Sequence, residues 1–353
     1  MFVAWRDLRF ARGRFALITV VVVLVSVLVG FLSGLTGGLA WQNVSGVLAL
    51  PADRIVLAPS AADATPTLSD STITPEQTDA WTAAAGVVSV TPIGISQVRA
   101  QSADHREGVT LFGGVAGETE PSADGDVVLS QGAAAALQVS AGDSITLVGE
   151  EYTVERVTGD DWYSHTPVIH TTLTDWQSVS ARMGVPDAHA TALLVTGAPD
   201  AATLDADTGT VTATPLSTLM NLPAFRSEIG SLLLIVGLLF GISALVIGAF
   251  FTVWSMQRRG DVAILKALGA TNRAVRLDAL GQALVVLLIG TGLGLAIVTA
   301  AGLALQGRMP FILSPLTTLL PAALMVVVGL AGAMFSLRAV TTADPLTALG
   351  SNR

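Results

Sequence analysis

Four stretches of this chain are so long and so apolar that they leave the backbone little choice. They run over 15–40, 229–253, 279–305 and 316–337. A helix needs about 20 residues to cross roughly 30 Å of hydrocarbon, and inside hydrocarbon every N–H and C=O must find its partner within the chain. The chain therefore reads as a membrane α-helical protein with four spans, and its 51% hydrophobic and 13% charged residues fit that class rather than a soluble domain. Pro315 and Pro321 stand near the start of the fourth run, where proline is tolerated in a first turn or at a kink. The small residues "GGLA" that close the first run resemble a signal-peptide cleavage site. Its apolar stretch nevertheless far exceeds the roughly 7–15 residues of a signal's apolar core, so the run is read as a retained span.

Basic residues near the spans set the orientation. Arg6, Arg9, Arg12 and Arg14 precede the first run; Arg258, Arg259, Lys266, Arg273 and Arg276 lie between the second and third; Arg338 follows the fourth. Only Arg308 lies between the third and fourth. Both termini and the 254–278 segment are thus expected in the cytoplasm, with the 41–228 segment and a short 306–315 loop outside. The expected order is a cytoplasmic amphipathic helix (1–14), span 1 (15–40), the external body (41–228), span 2 (229–253), a cytoplasmic loop (254–278), span 3 (279–305), an external loop (306–315), span 4 (316–337) and a cytoplasmic tail (338–353). Of 27 acidic residues, 23 fall between Trp41 and Glu228, alongside only 6 of the 18 Arg and Lys. That acidic body argues against nucleic acid as a partner. Cysteine is absent, which removes disulfides, thiolate nucleophiles and cysteine-ligated metals.

The external body reads as an α+β extracellular domain between spans 1 and 2. "ADRIVLAPS" and "VVSVTPIGI" carry the β-branched residues of strands. In "TITPEQTDAWTAAAG", Thr74 is placed to cap a helix, Pro75 to open it, Glu76 to sit in its first turn and Gly86 to end it. "VVLSQGAAAALQVSAGDSITLVGEEYTVERV" reads as strand, short helix, a turn at Ala141-Gly142-Asp143, and two strands joined near Gly149. A helix is expected from about Thr174 and a late strand in "HATALLVTG". All four histidines, His105, His165, His170 and His189, fall here. His165 and His170 suggest a metal or haem site, but in a strand their spacing puts them on opposite faces, so they are expected to be surface residues. No clustered acid, base and nucleophile marks an enzyme.

Between spans 2 and 3 lies "QRRGDVAILKALGATNRAVRLD", which contains the chain's one lysine, Lys266. Val262, Ile264, Leu265 and Leu268 fall near one side of a short helix that ends at Gly269, and the chain restarts after Thr271 as an N-cap. An interfacial helix that anchors headgroups and a docking helix for a partner both fit that pattern. Lys266 is not in a Gly-x-x-x-x-Gly-Lys-Ser/Thr loop, so the chain lacks the lysine that a Walker A site directs at phosphates.

"RRGDVAILKALGATNRAV" resembles the loop between the second and third spans of the MacB/FtsX-like (type VII) ABC transporter permeases. "AWRDLRFARGRFA", "GAAAALQVSAGDSITLVGEEYTVERV", "GTGLGLAI" and "ADPLTALG" agree with that family in order, over essentially the whole chain. Asp261 stands where the family usually has glutamate, and Gln282 where the third span often begins with Glu. The resemblance implies a homodimer driven by a separate cytoplasmic ABC ATPase in two copies, which brings ATP and Mg. Arg258, Arg259, Asp261, Lys266, Leu268 and Gly269 would couple the two. Small residues at Gly30 and Gly34, Gly237 and Gly241, and Gly290 and Gly294 would let helices approach closely.

Within the family the chain most resembles the haem-exporting, HrtB-like permeases of Gram-positive bacteria, by its compact external body and four spans without a fused ATPase. That resemblance implies a cell-membrane efflux pump with no intrinsic cofactor and haem as its transported ligand. Glu228 begins span 2 on the outer side, and carboxylates at an apolar boundary are paired, neutral or ligating. Glu228 is thus the candidate for haem iron, Arg226 for a propionate, Phe225 and Trp41 for the porphyrin faces, and Met220 for a soft axial ligand. The alternatives are an FtsX-like mechanotransmitter acting on a cell-wall hydrolase, or an exporter of a lipoprotein, peptide or antibiotic.

Overall fold

A computed structural model of the chain describes residues 12–59, 66–220, 223–257, 269–305, 307 and 309–341. Its helices are α1 (Arg12–Leu48), α2 (Pro75–Thr82), α3 (Gln131–Leu137), α4 (Leu173–Arg182), α5 (Ala201–Thr208), α6 (Pro215–Met220), α7 (Pro223–Gln257), α8 (Asn272–Leu305) and α9 (Pro315–Thr341). Its strands are β1 (Arg54–Leu57), β2 (Val87–Gln101), β3 (Arg106–Gly113), β4 (Asp126–Leu129), β5 (Ser144–Leu147), β6 (Glu150–Val157), β7 (Trp162–Tyr163), β8 (Thr166–Thr171), β9 (Ala192–Gly197) and β10 (Val211–Ala213). They divide between two compact units, a sheet-rich one over Leu39–Ile229 and a helical one formed by Met1–Gly38 with Gly230–Arg353.

Four helices are long and apolar enough to cross a membrane, over Phe15–Leu48, Phe225–Trp254, Arg273–Leu305 and Pro315–Phe335, and most of their length belongs to the helical unit. Pro321 lies inside the last helix. The unit's core is built from Phe15, Ile18 and Val22 of α1, Ile247, Phe251 and Trp254 of α7, Ala283 and Leu287 of α8, and Met325 of α9. Trp254 meets Phe15 and Phe251 edge-on, with ring centroids 5.9 and 6.0 Å away. Lipid is as apolar as leucine, so helices associate here through close packing. Gly290 and Gly294 of α8 supply that closeness: a Cβ on either would sit 2.6 Å from Val22 or Ser26 of α1. Gly30 and Gly34 are filled in the same way by Val298 and Phe311, whereas Gly237 and Gly241 face open space. At the start of α8, Thr271 caps the helix by accepting the Ala274 N–H at 3.2 Å. Gly269 precedes it at φ +96, and the helix it is expected to end lies outside the described residues. Gln282 is fully buried and donates to Asp278 one turn earlier.

The sheet-rich unit is organised by its longest strand. β2 pairs antiparallel with β9 through Val87–Ile93, then with β3 through Gly94–Gln101. Its first half completes an antiparallel sheet in the order β10-β1-β9-β2. Its second half opens a closed ring, β2-β3-β8-β4-β6-β5, which returns to β2 where Ala100 pairs with Leu147. Closure leaves the ring no free edge, and it mixes parallel pairs (β3 with β8, β4 with β6) with antiparallel ones. The ring core gathers Val109, Leu111, Leu129, Leu147 and Val154 with Leu137 of α3 and Trp176 of α4.

Local readings hold at particular residues. Thr74 and Gln77 form a reciprocal capping box at α2, which opens on Pro75 and ends by Thr82. Gly86, at φ +86, lies beyond that end, in the turn into β2. Gly142 and Gly149 adopt φ +92 and +85 in the two turns that flank β5. The helix expected from about Thr174 begins at Leu173, because Thr172 rather than Thr174 accepts the capping N–H of Asp175.

Trp176 lies across two glycines that are cross-strand neighbours, Gly94 and Gly113. A Cβ on Gly94 would fall inside the indole ring, and the ring is also tied by its Nε1–H to Ser96 Oγ at 3.0 Å. Overpacking of this kind costs about 1–3 kcal/mol. Gly94→Ala in the full chain is therefore expected to lower stability by about that much, read from the denaturation midpoint followed by tryptophan fluorescence. An unchanged midpoint would show that the indole is not seated on this strand pair.

Candidate functional site

At 37 residues α1 is about 55 Å long, well beyond what hydrocarbon requires. The extra turns, "WQNVSGVL", stay helical because Val44 and Val47, one turn apart, both enter the core of the sheet-rich unit. The start of α7 does the same. Pro223 opens it, and Phe225 and Ile229 pack against that core at an i, i+4 spacing. Two polar side chains flank these apolar contacts, Asn43 on α1 and Glu228 on α7.

The third member comes from the turn between β7 and β8. Trp162 pairs with Pro167 and Tyr163 with Thr166, which leaves Ser164 and His165 as a two-residue turn. Both adopt positive φ, +50 and +64, the condition a tight hairpin imposes and one normally met by Asn-Gly or Gly. Contacts with α1 hold the turn. The Ser164 N–H donates to Asn43 O at 3.0 Å and the His165 N–H to Gln42 O at 2.9 Å. The Trp162 N–H donates to Ser45 Oγ, also at 2.9 Å. Beneath the turn, Tyr163 packs edge-on to Phe112 at 6.1 Å, and burial pushes its phenol up to about 12.

These constraints bring three side chains together. Asn43 Nδ2 donates to Glu228 Oε2 at 2.9 Å. His165 Nε2 lies 3.0 Å from the same oxygen and 3.4 Å from Asn43 Nδ2. The imidazole is 39% and the carboxylate 30% exposed, so the cluster is open to an incoming ligand. Among the described residues, no group of three or more His, Asp or Glu side chains gathers as a metal site.

The other sequence candidates fall around this cluster unevenly. Trp41 is exposed on α1, two residues before Asn43. Arg226 is exposed, and among the described residues no ion pair joins it to Glu228. Phe225 is only 7% exposed and belongs to the core, so its ring has no open face to offer. Met220 ends α6, and its side chain lies outside the described residues. Arg258, Arg259, Asp261, Lys266 and Leu268 of the cytoplasmic loop lie outside them too, as do residues 1–11.

Two expectations about histidine need correction. His170 is buried, at 4% exposure, with Nε2 3.3 Å from Asp161 Oδ2 and its ring edge-on to Phe112. His165 precedes β8 instead of lying in it, so the alternation used to separate the two rings does not apply. Sequence reasoning missed both Asn43 and His165. Asn43 carried a faint signal as a polar residue just past an apolar run. His165 was weighed only as a pair with His170 and set aside, and "YSHT" contains no glycine or asparagine to mark the tight turn that aims it.

Residues 233–345 match the family described as FtsX-like permease C-terminal. The "Putative hemin transport system permease protein HrtB" of Staphylococcus haemolyticus is 24% identical over 360 residues, covering 99% of each chain. The protein of the same name from Staphylococcus epidermidis is 22% identical over 362 residues, covering all of both. Among solved structures, the extracellular domain of the noncanonic ABC-type transporter YknZ from Gram-positive bacteria aligns with a TM-score of 0.33 and 15% identity, over 46% of this chain and 97% of that one. The periplasmic region of MacB from Actinobacillus actinomycetemcomitans aligns at 0.35 and 10%, over 50% and 94%.

The left-handed backbone costs a side-chain-bearing residue roughly 1–2 kcal/mol. Ser164→Gly, which leaves His165 in place, is expected to raise stability by about 1 kcal/mol, as measured by the shift in chemical denaturation midpoint. A loss of stability would mean that the turn does not hold Ser164 at positive φ.

Proposed function

We propose that this FtsX-like permease is the membrane subunit of an ABC-type efflux pump, in which two copies and a separate cytoplasmic ATPase export haem from the membrane for detoxification. One observation carries the reading: a carboxylate at the outer start of the second span, Glu228, is held by Asn43 and His165 in a cluster that is half open. Full-length similarity to relatives named for hemin transport supports it.

Haem is flat and apolar with an acidic rim and a Lewis-acidic iron, and a site for it needs donors of matching kinds. The iron binds at the Asn43–His165–Glu228 cluster. The exposed guanidinium of Arg226 suits a propionate, and the exposed indole of Trp41 suits the porphyrin face. ATP and Mg belong to the partner ATPase, which docks on Arg258, Arg259, Asp261, Lys266, Leu268 and Gly269. The second copy covers the α7 face that carries Gly237 and Gly241. Those glycines face open space, and Leu234, Leu238, Ile242 and Leu245 beside them are exposed. The sheet-rich unit stands outside the cell membrane, a placement that the distribution of basic residues supports.

Two measurements test the reading. In nanodiscs containing the chain and its ATPase, a haem titration followed at the Soret band is expected to saturate, and Glu228→Ala to weaken binding at least tenfold. Absence of saturable binding by the wild type would leave another amphipathic cargo, or force transmission without cargo. Because the chain has no cysteine, single cysteines report sidedness cleanly. Asp187→Cys, on an exposed turn, is expected to react with a membrane-impermeant maleimide on intact cells, and Lys266→Cys only after permeabilisation. The reverse pattern would overturn the orientation.

A further inference from the structure

The two oxygens of Glu228 have different surroundings. An ionised carboxylate only accepts hydrogen bonds, and the nitrogen of a carboxamide only donates. Asn43 Nδ2 donates to Oε2 at 2.9 Å, and His165 Nε2 lies 3.0 Å from the same atom. A contact that short between a ring nitrogen and a carboxylate oxygen holds a proton, so Nε2 is a second donor. The 3.4 Å between Nε2 and Nδ2 is the gap between two donors that share one acceptor. Oε1 has no hydrogen-bond partner among the described residues, and the side chain is 30% exposed. One oxygen is fastened and the other is free.

We propose that Asn43 and His165 are positioning residues for the cargo: by holding Oε2 they present Oε1 of Glu228 to the haem iron and set how strongly it donates. The proposal rests on the haem reading and deepens it, because it says which oxygen ligates and what aims it. A glutamate side chain has several rotatable bonds, and binding metal ordinarily costs that rotamer freedom. Here two donors fix the carboxylate in the folded chain, so less is lost when the cargo arrives. Hydrogen bonds to a ligating carboxylate also draw charge from it and tune the metal. With Oε2 occupied, the carboxylate is left to bind through one oxygen. Haem iron, already held in plane by the porphyrin nitrogens, offers one position on each face and takes such a ligand, whereas free calcium commonly takes a carboxylate through both oxygens.

Both donors are rigidly mounted. Asn43 directly precedes Val44, which enters the core of the sheet-rich unit with Val47. Its backbone oxygen accepts the Ser164 N–H at 3.0 Å, and Gln42 O accepts the His165 N–H at 2.9 Å. His165 therefore stands at φ +64 in a turn fastened to the helix that carries Asn43. Strained backbone that its surroundings over-determine clusters at ligand sites. The rival reading is that the three side chains only tie α7 to α1, and that role would leave the electronic state of a bound iron untouched.

The test uses the complete complex with its ATPase in nanodiscs and ferric haem as the probe. Affinity is read from the Soret band, and the reduction potential of the bound haem by spectroelectrochemistry. Asn43→Leu removes one donor at similar volume, His165→Ala removes the other, and His165→Gln keeps an N–H to offer Oε2. Asn43→Leu and His165→Ala are each expected to weaken binding about tenfold. Each is also expected to lower the potential, because a carboxylate relieved of a donor gives more charge to ferric iron. His165→Gln is expected to recover most of both. Elution profile and denaturation midpoint check that each variant is folded, and either donor-free variant alone suffices. If affinity falls while the potential stays or rises, the two residues are structural: the proposal is overturned and the haem reading stands. The same holds if both variants match wild type while Glu228→Ala does not bind, or if Glu228→Ala itself binds like wild type. If the wild type does not bind haem saturably, the reading and the proposal fall together.

Discussion

Hydrocarbon offers no partner to a backbone N–H or C=O, and most of this molecule follows from that constraint. It makes each of the four apolar runs a helix and tolerates Pro321 inside one of them. Packing of glycine against a neighbouring helix, as at Gly290 and Gly294, takes the place of a hydrophobic driving force between helices. The same constraint confines polar chemistry to where the helices leave the membrane. Asn43 and Glu228 lie on the parts of α1 and α7 that belong to the sheet-rich unit.

Within that unit, apolar packing and hydrogen bonding cooperate. Val44 and Val47 on one helix, with Phe225 and Ile229 on the other, enter a common core. A carboxylate and a carboxamide are thereby held 2.9 Å apart. The β7–β8 turn adds the imidazole, and its strained backbone is tied to the same helix by N–H groups. A ligand that engages this cluster therefore touches both helices and the β7–β8 turn at once.

Long-period signals were legible in the sequence. The four runs mark the four helices, and Thr74 and Thr271 show the local chemistry expected of caps. Hydropathy reports where a helix leaves lipid and not where it ends, which is why "WQNVSGVL" was read as the start of the external body although α1 continues to Leu48. The pairing of β3 with β8 and the closure of the ring through Ala100 and Leu147 depend on tertiary packing that no local pattern encodes. For the site, Glu228 was legible because a charge beside an apolar run demands explanation. Its partners were not, since His165 lies 63 residues away and depends on a turn without the usual glycine.

In the function proposed above, ATP hydrolysis by a partner subunit moves haem out of the membrane through this chain. The most direct measurement is the rate at which haem leaves nanodisc lipid for apomyoglobin in solution, with the chain and its ATPase present. Transfer that accelerates with ATP and returns to the spontaneous rate with a non-hydrolysable analogue is the predicted result. An identical rate with and without ATP hydrolysis would contradict the account.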